Sequence, residues 1–312
     1  MTYLPPEAHA RFARQHGVAS IKQLLETGLT VRQVEYLVDR HCLVNVARGA
    51  YASPSVALTE TSRMVAICLS RPHVVIAGST AGRVHGLRKL GHDRRIHLLA
   101  PPGANPAVGR NVRTFRTRAF GNEDFEQRSD GLRITTPEQT SLDLARHLRS
   151  DALLSVIEQV MHETGTSDQQ LRALALPWLP RRRWVRKYLD ALDRRIIGPA
   201  AESNPEVVVG QMLDARSVTG LVRQFAVDLP GYGHARFDLA VPEIRWALEV
   251  DVFPSHLETV GAEADRRRDE AARRIDWTVT RISRDDYEHQ LVNSVERAAS
   301  EYRRIRQHSA LT

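Results

Sequence analysis

Lysine is nearly missing from this 312-residue chain. Lys22, Lys89 and Lys187 are the only ones, and arginine supplies the rest of its 44 basic residues. Any active site that depends on lysine is therefore excluded beyond residue 187. A GC-rich coding sequence, which also favours Ala and Val, accounts for that composition. The forked guanidinium nevertheless suits phosphates and guanine edges. Cysteine is equally sparse. Cys42 and Cys68 stand far apart, which excludes a disulfide framework and a cysteine-type zinc site and fits a reducing cytoplasm. No apolar run is long enough to span a bilayer. The N-terminus, MTYLPPEAHARFARQHG, lacks the apolar core of a secretory signal. These absences together predict a cytoplasmic protein with no membrane partner.

What is present describes a folded chain. Hydrophobic residues make up 42% and charged residues 26%, the balance of ordinary globular domains. The length allows two or three domains, and the pattern predicts an α/β multidomain protein. The net charge of +7 and pI near 9.8 favour an anionic partner, with nucleic acid first in line.

A first block spans residues 1–55. Pro5 to Gln15 reads as a helix opened by prolines and closed by Gly17. Ser20 with Gln23, and Thr30 with Gln33, have the spacing of capping boxes that open two more helices. Val31, Val34, Leu37 and Val38 share one face of the third helix. Arg32, Gln33, Tyr36 and Arg40 are left for another. LVNVARGAYAS then reads as a hairpin around Arg48-Gly49. Three short helices and a hairpin predict a winged helix-turn-helix, whose third helix enters a major groove while the wing, with Arg48, touches backbone. The same pattern also fits a small bundle that binds protein.

A second block, residues 60–165, holds strand-like HVVIAG, RIHLLAPP and NVRTFRTRAF and an amphipathic helix, PEQTSLDLARHL, behind Thr136. His85, His92 and His97 have no metal-ligand spacing, and Asp143 fits a structural hydrogen bond. Residues 166–199 form a basic linker helix. There Arg181, Arg182, Arg183, Arg186 and Lys187 interleave with Trp184 and Tyr188. The cluster fits either phosphate neutralisation with base stacking or a solvated face.

The third block, residues 200–307, carries the chemistry. Its order is helix, three strands, helix, strand, and a last helix from Asp285 to Arg306. Turns fall at Gly231-Tyr232-Gly233 and Pro242-Glu243. In LEVDVFPSH, Glu249 and Asp251 alternate with apolar neighbours and share one face of a strand. An antiparallel neighbour brings Asp238 beside them. Clustered carboxylates repel unless a cation lies between them, and oxygen ligands suit magnesium or manganese. Such an ion polarises phosphate and activates water. Each residue also has a plainer role: Ser203 and Glu206 as a capping box, Arg266 to Arg268 as partners of Asp265, Asp269 and Glu270, and Asp251 as the partner of an arginine.

The residues Arg236/Asp238, Glu249/Asp251, His256, Arg268/Asp269 and Trp277/Val279/Arg281 resemble the DUF559 family, relatives of the very-short-patch-repair endonucleases. The resemblance covers most of the third block. It implies a restriction-endonuclease-like αβββαβα core of the PD-(D/E)XK type. Carried over, Asp238 and Glu249 hold the metal, Asp251 is a further ligand, His256 is a general base or phosphate contact, and Arg268 reaches DNA. Ser203-x-x-Glu206 matches a helix preceding that core. The chain departs from the pattern in two places. Asp251 stands where the usual catalytic lysine would be, and Val252 replaces a common glycine. The stretch from His16 to Pro54, HGVASIKQLLETGLTVRQVEYLVDRHCLVNVARGAYASP, resembles the winged-helix domain of AbiEi-type type IV antitoxins. AGSTAGRVHGL and GLRITTPEQTSLDLA resemble the α/β segment that follows it. That likeness implies promoter binding, autoregulation and a nucleotidyltransferase-type toxin as functional partner.

Three readings follow. One is an antitoxin-like regulator whose endonuclease-like domain binds DNA. Another is a metal-dependent endonuclease with a non-standard active site, hydrolysing phosphodiesters and targeted by its winged helix. The last is a defence protein whose winged helix binds a protein partner.

Overall fold

The computed structural model describes residues 3–103, 111–117, 125–252 and 258–311. The chain divides into two compact units, residues 1–144 and 145–312.

The N-terminal unit opens with α1 (Pro6–Arg14), β1 (Val18–Ser20), α2 (Ile21–Glu26) and α3 (Val31–Asp39). A hairpin of β2 (Val44–Ala47) and β3 (Ala50–Ala52) follows. Both predicted capping boxes close: Ser20 with Gln23 and Thr30 with Gln33 exchange reciprocal bonds between side chain and backbone. They satisfy amides that have no partner inside a helix. Gly49, at φ +70, supplies the left-handed turn residue of the hairpin. A short strand not expected from the sequence, β1, pairs antiparallel with β3, so the small sheet runs β1-β3-β2. Leu24, Leu29, Val34, Leu37 and Leu43 pack with Ala8 and Phe12 under the helices. Val31 does not join them. It is half exposed, because it occupies the first turn, past the edge of the buried stripe.

The same unit continues with α4 (Glu60–Ser70), β4 (Val75–Ile76), α5 (Gly78–Val84), β5 (Ile96–Ala100) and β6 (Val112–Arg116). It closes with β7 (Phe125–Gln127), β8 (Arg133–Thr135) and α6 (Pro137–Leu144). The strands form one mixed sheet in the order β6-β5-β4-β8-β7. Val18, Ala50 and Ala52 of the small sheet share a core with Met64, Ile67, Ile76 and Leu98. Two histidines are structural. His85 Nε2 lies 2.7 Å from the Thr135 carbonyl, and His97 is buried between the Ser79 amide and Asp93.

The C-terminal unit begins with α7 (Ser150–Thr164), α8 (Asp168–Ala175), a 3-10 turn (Leu176–Arg181) and α9 (Trp184–Asp193). Val185, Tyr188, Ala191 and Leu192 bury one side of α9. Its basic and aromatic side chains largely answer each other: the Arg182 guanidinium lies 4.1 Å from the Trp178 ring centroid and 5.4 Å from that of Trp184. Lys187 Nζ donates to the Leu148 carbonyl. Next come α10 (Asn204–Asp214), β9 (Val222–Leu229), β10 (Gly233–Val241), β11 (Trp246–Asp251) and α11 (Glu258–Arg273). The unit ends with β12 (Thr278–Ser283), α12 (Arg284–His289) and α13 (Leu291–Ser309). The sheet order is β12-β11-β10-β9; β9, β10 and β11 meander antiparallel, and β12 returns parallel to β11. The expected single last helix is two, because Ser283 caps α12 through Asp286 and the chain breaks at Gln290. Leu239, Val241, Trp246, Leu248 and Val250 pack under α10 and α13 on one face. Ala240, Ala247 and Trp277 pack with Ala271 and Ala272 of α11 on the other.

Candidate functional site

In β11 the apolar set Trp246, Leu248 and Val250 points to one core, so strand alternation sends Glu249 to the other face. There it is buried at 7% exposure. A carboxylate so far from water needs partners. Arg268 from α11 and Arg281 from β12 provide them: both donate to Glu249 Oε2, Arg281 at 3.1 Å. Arg281 also forks onto Asp269 at 3.0 and 2.8 Å. The parallel register that sets Glu249 opposite Arg281 builds this contact. Burial nevertheless pushes the Glu249 carboxyl above its usual range, against the opposite pull of the two arginines.

Asp238 sits on β10 and accepts the Val250 amide at 2.9 Å. Its carboxyl is pushed up to about 6, mainly by burial and further by the charges of Glu206, Glu249 and Glu202. Glu206, on α10, adds to the acidic group. Its amide takes the expected cap from Ser203, but its carboxylate does not return the bond to close a box. It accepts instead from Gln224 Nε2 at 2.9 Å and from the Glu202 amide at 3.2 Å. Gln224 escaped the sequence reading. Its φ of +49 inside β9 is the only local sign of it, and that is a conformational fact. Behind these groups Arg223 is 1% exposed and lies 3.9 Å from Glu158, which accepts two bonds from Arg195.

The expected site residues thus separate. Asp238 and Glu249 share one electrostatic neighbourhood, and Asp251 is exposed at the strand end. His256 lies outside the described residues. Arg268, expected to reach DNA, turns inward to Glu249 with only a fifth of its side chain exposed. Among the described residues, no group of three or more His, Cys, Asp or Glu side chains is arranged to hold a metal ion. Two guanidinium groups, those of Arg268 and Arg281, already neutralise Glu249.

In the N-terminal unit, Arg32 and Tyr36 are exposed on α3 and Arg40 is exposed at its C-terminal cap. They recur every four residues, so they form one row. The Arg40 guanidinium lies 5.5 Å from the Tyr36 ring centroid. Glu35 and Asp39 are exposed beside the row, and Arg48 is exposed at the hairpin turn. Gln33 is not available to a ligand in the same way. Its Oε1 accepts the Thr30 amide at 2.8 Å and lies 3.0 Å from the Thr30 hydroxyl, closing the cap.

Residues 65–189 match the AbiEi antitoxin C-terminal domain. The match begins inside α4 and ends inside α9, so it takes in the helices of the basic stretch and has parts in both compact units. Among solved structures, the RV2827C protein from Mycobacterium tuberculosis is similar at a TM-score of 0.41 and 17% identity, over 62% of this chain and 78% of that one. A search of the curated proteins finds no match. No helix among the described residues is long and apolar enough to cross a membrane.

Proposed function

We propose that this protein is a DNA-binding regulator of the antitoxin type. In this reading residues 1–55 are a winged helix-turn-helix. Residues 200–307 are an endonuclease-like domain that binds DNA without cutting it. The observation that carries the proposal is the exposed Arg32-Tyr36-Arg40 row on α3 and its C-terminal cap, next to a hairpin tipped by Arg48. A short helix capped at Thr30 presents two guanidinium groups and a ring along one line, as a helix lying in a major groove does. The acids beside the row repel phosphate and narrow the contact to that line. The antitoxin-domain match at residues 65–189 supports the regulatory role. A nucleotidyltransferase-type toxin encoded nearby is then the functional partner, and the shared promoter the target.

The order α10-β9-β10-β11-α11-β12, with β12 parallel to β11, supports the endonuclease-like reading of the C-terminal domain. The arginines on Glu249 and the absence of lysine support its being non-cleaving. Positive charge that would otherwise arrive with a metal is supplied permanently by the fold.

Fluorescence anisotropy on DNA from the region upstream of the gene tests the first half. Binding should weaken steeply with salt. Arg32→Ala and Arg40→Ala should each weaken it about tenfold, and unchanged affinity in both would sink the winged-helix assignment. Plasmid incubation with magnesium or manganese tests the second half. We expect no nicking; metal-dependent nicking that Glu249→Gln abolishes would overturn the non-cleaving reading.

A further inference from the structure

The N-terminal unit contains a cavity of about 930 Å³ between the small sheet and the larger one. Its walls include β2 on one side and, on the other, Val112 at the start of β6 with Asn111 just before it. Both are edge strands: β2 ends the order β1-β3-β2, and β6 ends the order β6-β5-β4-β8-β7. Each therefore turns backbone donors and acceptors outward with no strand among the described residues to receive them. The floor is apolar, made of Val46, Ala66, Ile67 and Ile96. Val44 and Leu58, also lining residues, are each 42% exposed. Large aliphatic side chains left this wet around one opening mark a surface that something covers.

The charge at the opening is uneven. Arg83, Glu60 and Asp93 line it but answer one another. Arg83 donates to Glu60 at 2.6 Å and to the Asp93 carbonyl at 2.8 Å. The Asp93 carboxylate takes a two-pronged contact from Arg95 at 3.0 and 2.8 Å and a third from His97 at 3.0 Å. Arg63 and Arg94 remain. Both line the cavity, both are exposed, and neither guanidinium has an ion pair among the described residues. The cavity thus joins an apolar floor, two open strand edges and two unanswered positive charges. Its volume falls in the range of small-molecule sites.

We propose that this cavity binds a small organic anion with a flat apolar body. The body covers Val44, Val46, Leu58 and Ile67, and the anionic group takes Arg63 and Arg94. The bond to a guanidinium is charge-assisted and accepts carboxylate, sulfonate or phosphate alike. Because β2 is also a strand of the hairpin that carries Arg48, an occupant rests directly against that hairpin.

The test uses the full chain and 8-anilinonaphthalene-1-sulfonate, a fluorescent aromatic anion. Its fluorescence should saturate at one molecule per chain. The double variant Arg63→Ala/Arg94→Ala should bind about tenfold more weakly or worse, with an unchanged melting temperature because both side chains are exposed. N-phenyl-1-naphthylamine, which keeps the rings and lacks the sulfonate, should bind wild type about tenfold more weakly than the anion. It should not distinguish wild type from the double variant. Arg40→Ala, at the C-terminal cap of α3, should leave the anion titration unchanged, which separates this site from the proposed DNA contact. Titration without saturation, equal affinity in wild type and double variant, or equal binding of the neutral probe would each overturn the proposal.

Discussion

Replacing Asp238 by Asn should stabilise the protein at neutral pH. The Asp238 carboxyl, ordinarily near 3.8, titrates at about 6 because it is buried and faces other carboxylates. The folded chain therefore holds that proton about 3 kcal/mol more tightly than the unfolded chain does. Linkage fixes the sign. Between pH 3.8 and 6 the folded state carries the proton and the unfolded state does not, so stability falls as pH rises through that window. Above it, the whole cost of the buried negative charge is present. Asn keeps a carbonyl oxygen for the Val250 amide and offers Glu206 an amide instead of a charge. The gain at pH 8 should approach, and not exceed, about 3 kcal/mol. For a unit of this size that is roughly a 6–12 °C rise in Tm. Thermal melts of wild type and Asp238→Asn from pH 4 to 8 give the answer: the difference should be near zero at the acid end and grow to a plateau above pH 7. A variant less stable than wild type at pH 8, or a difference that does not change with pH, would refute the account of Asp238.

Three more outcomes follow from the charge networks and caps. Arg268→Met should cost about 2–3 kcal/mol, less than breaking a fully buried pair because Arg281 stays on Glu249. Adding Glu249→Gln should recover part of that loss in a denaturant-based double-mutant cycle, and strict additivity would mean the two do not interact. Glu158→Gln removes the carboxylate that answers Arg195 and faces Arg223 from a position with no solvent exposure. It should lower stability by about 3–5 kcal/mol, and a loss under about 1 kcal/mol would show that water reaches the site. Ser20→Ala and Thr30→Ala each open one capping box. Urea denaturation should show about 1 kcal/mol lost for each and near-additive losses together.

Local signals were legible in the chain itself. The boxes at Ser20/Gln23 and Thr30/Gln33 close over three residues, and the hairpin at Arg48-Gly49 turns over two, so neighbours in sequence carry all the information. The run of strands after α10 was equally readable from alternation and from turns at Gly231 to Gly233 and at Pro242. Alternation also puts Glu249 on the face opposite Leu248 and Val250. Tertiary structure alone decided what Glu249 meets there. Arg268 and Arg281 arrive from 19 and 32 residues further along the chain. With 44 basic residues to choose from, no spacing rule singles out that pair; the packing of α11 and the parallel register of β12 do. Asp251 shows the converse. Alternation assigns it the same face as Glu249, but the strand ends there and leaves it in solvent. The cavity between β2 and β6 belongs to the same class of fact. It exists because β2 and β6, more than sixty residues apart in sequence, come side by side as the described edge strands of two sheets.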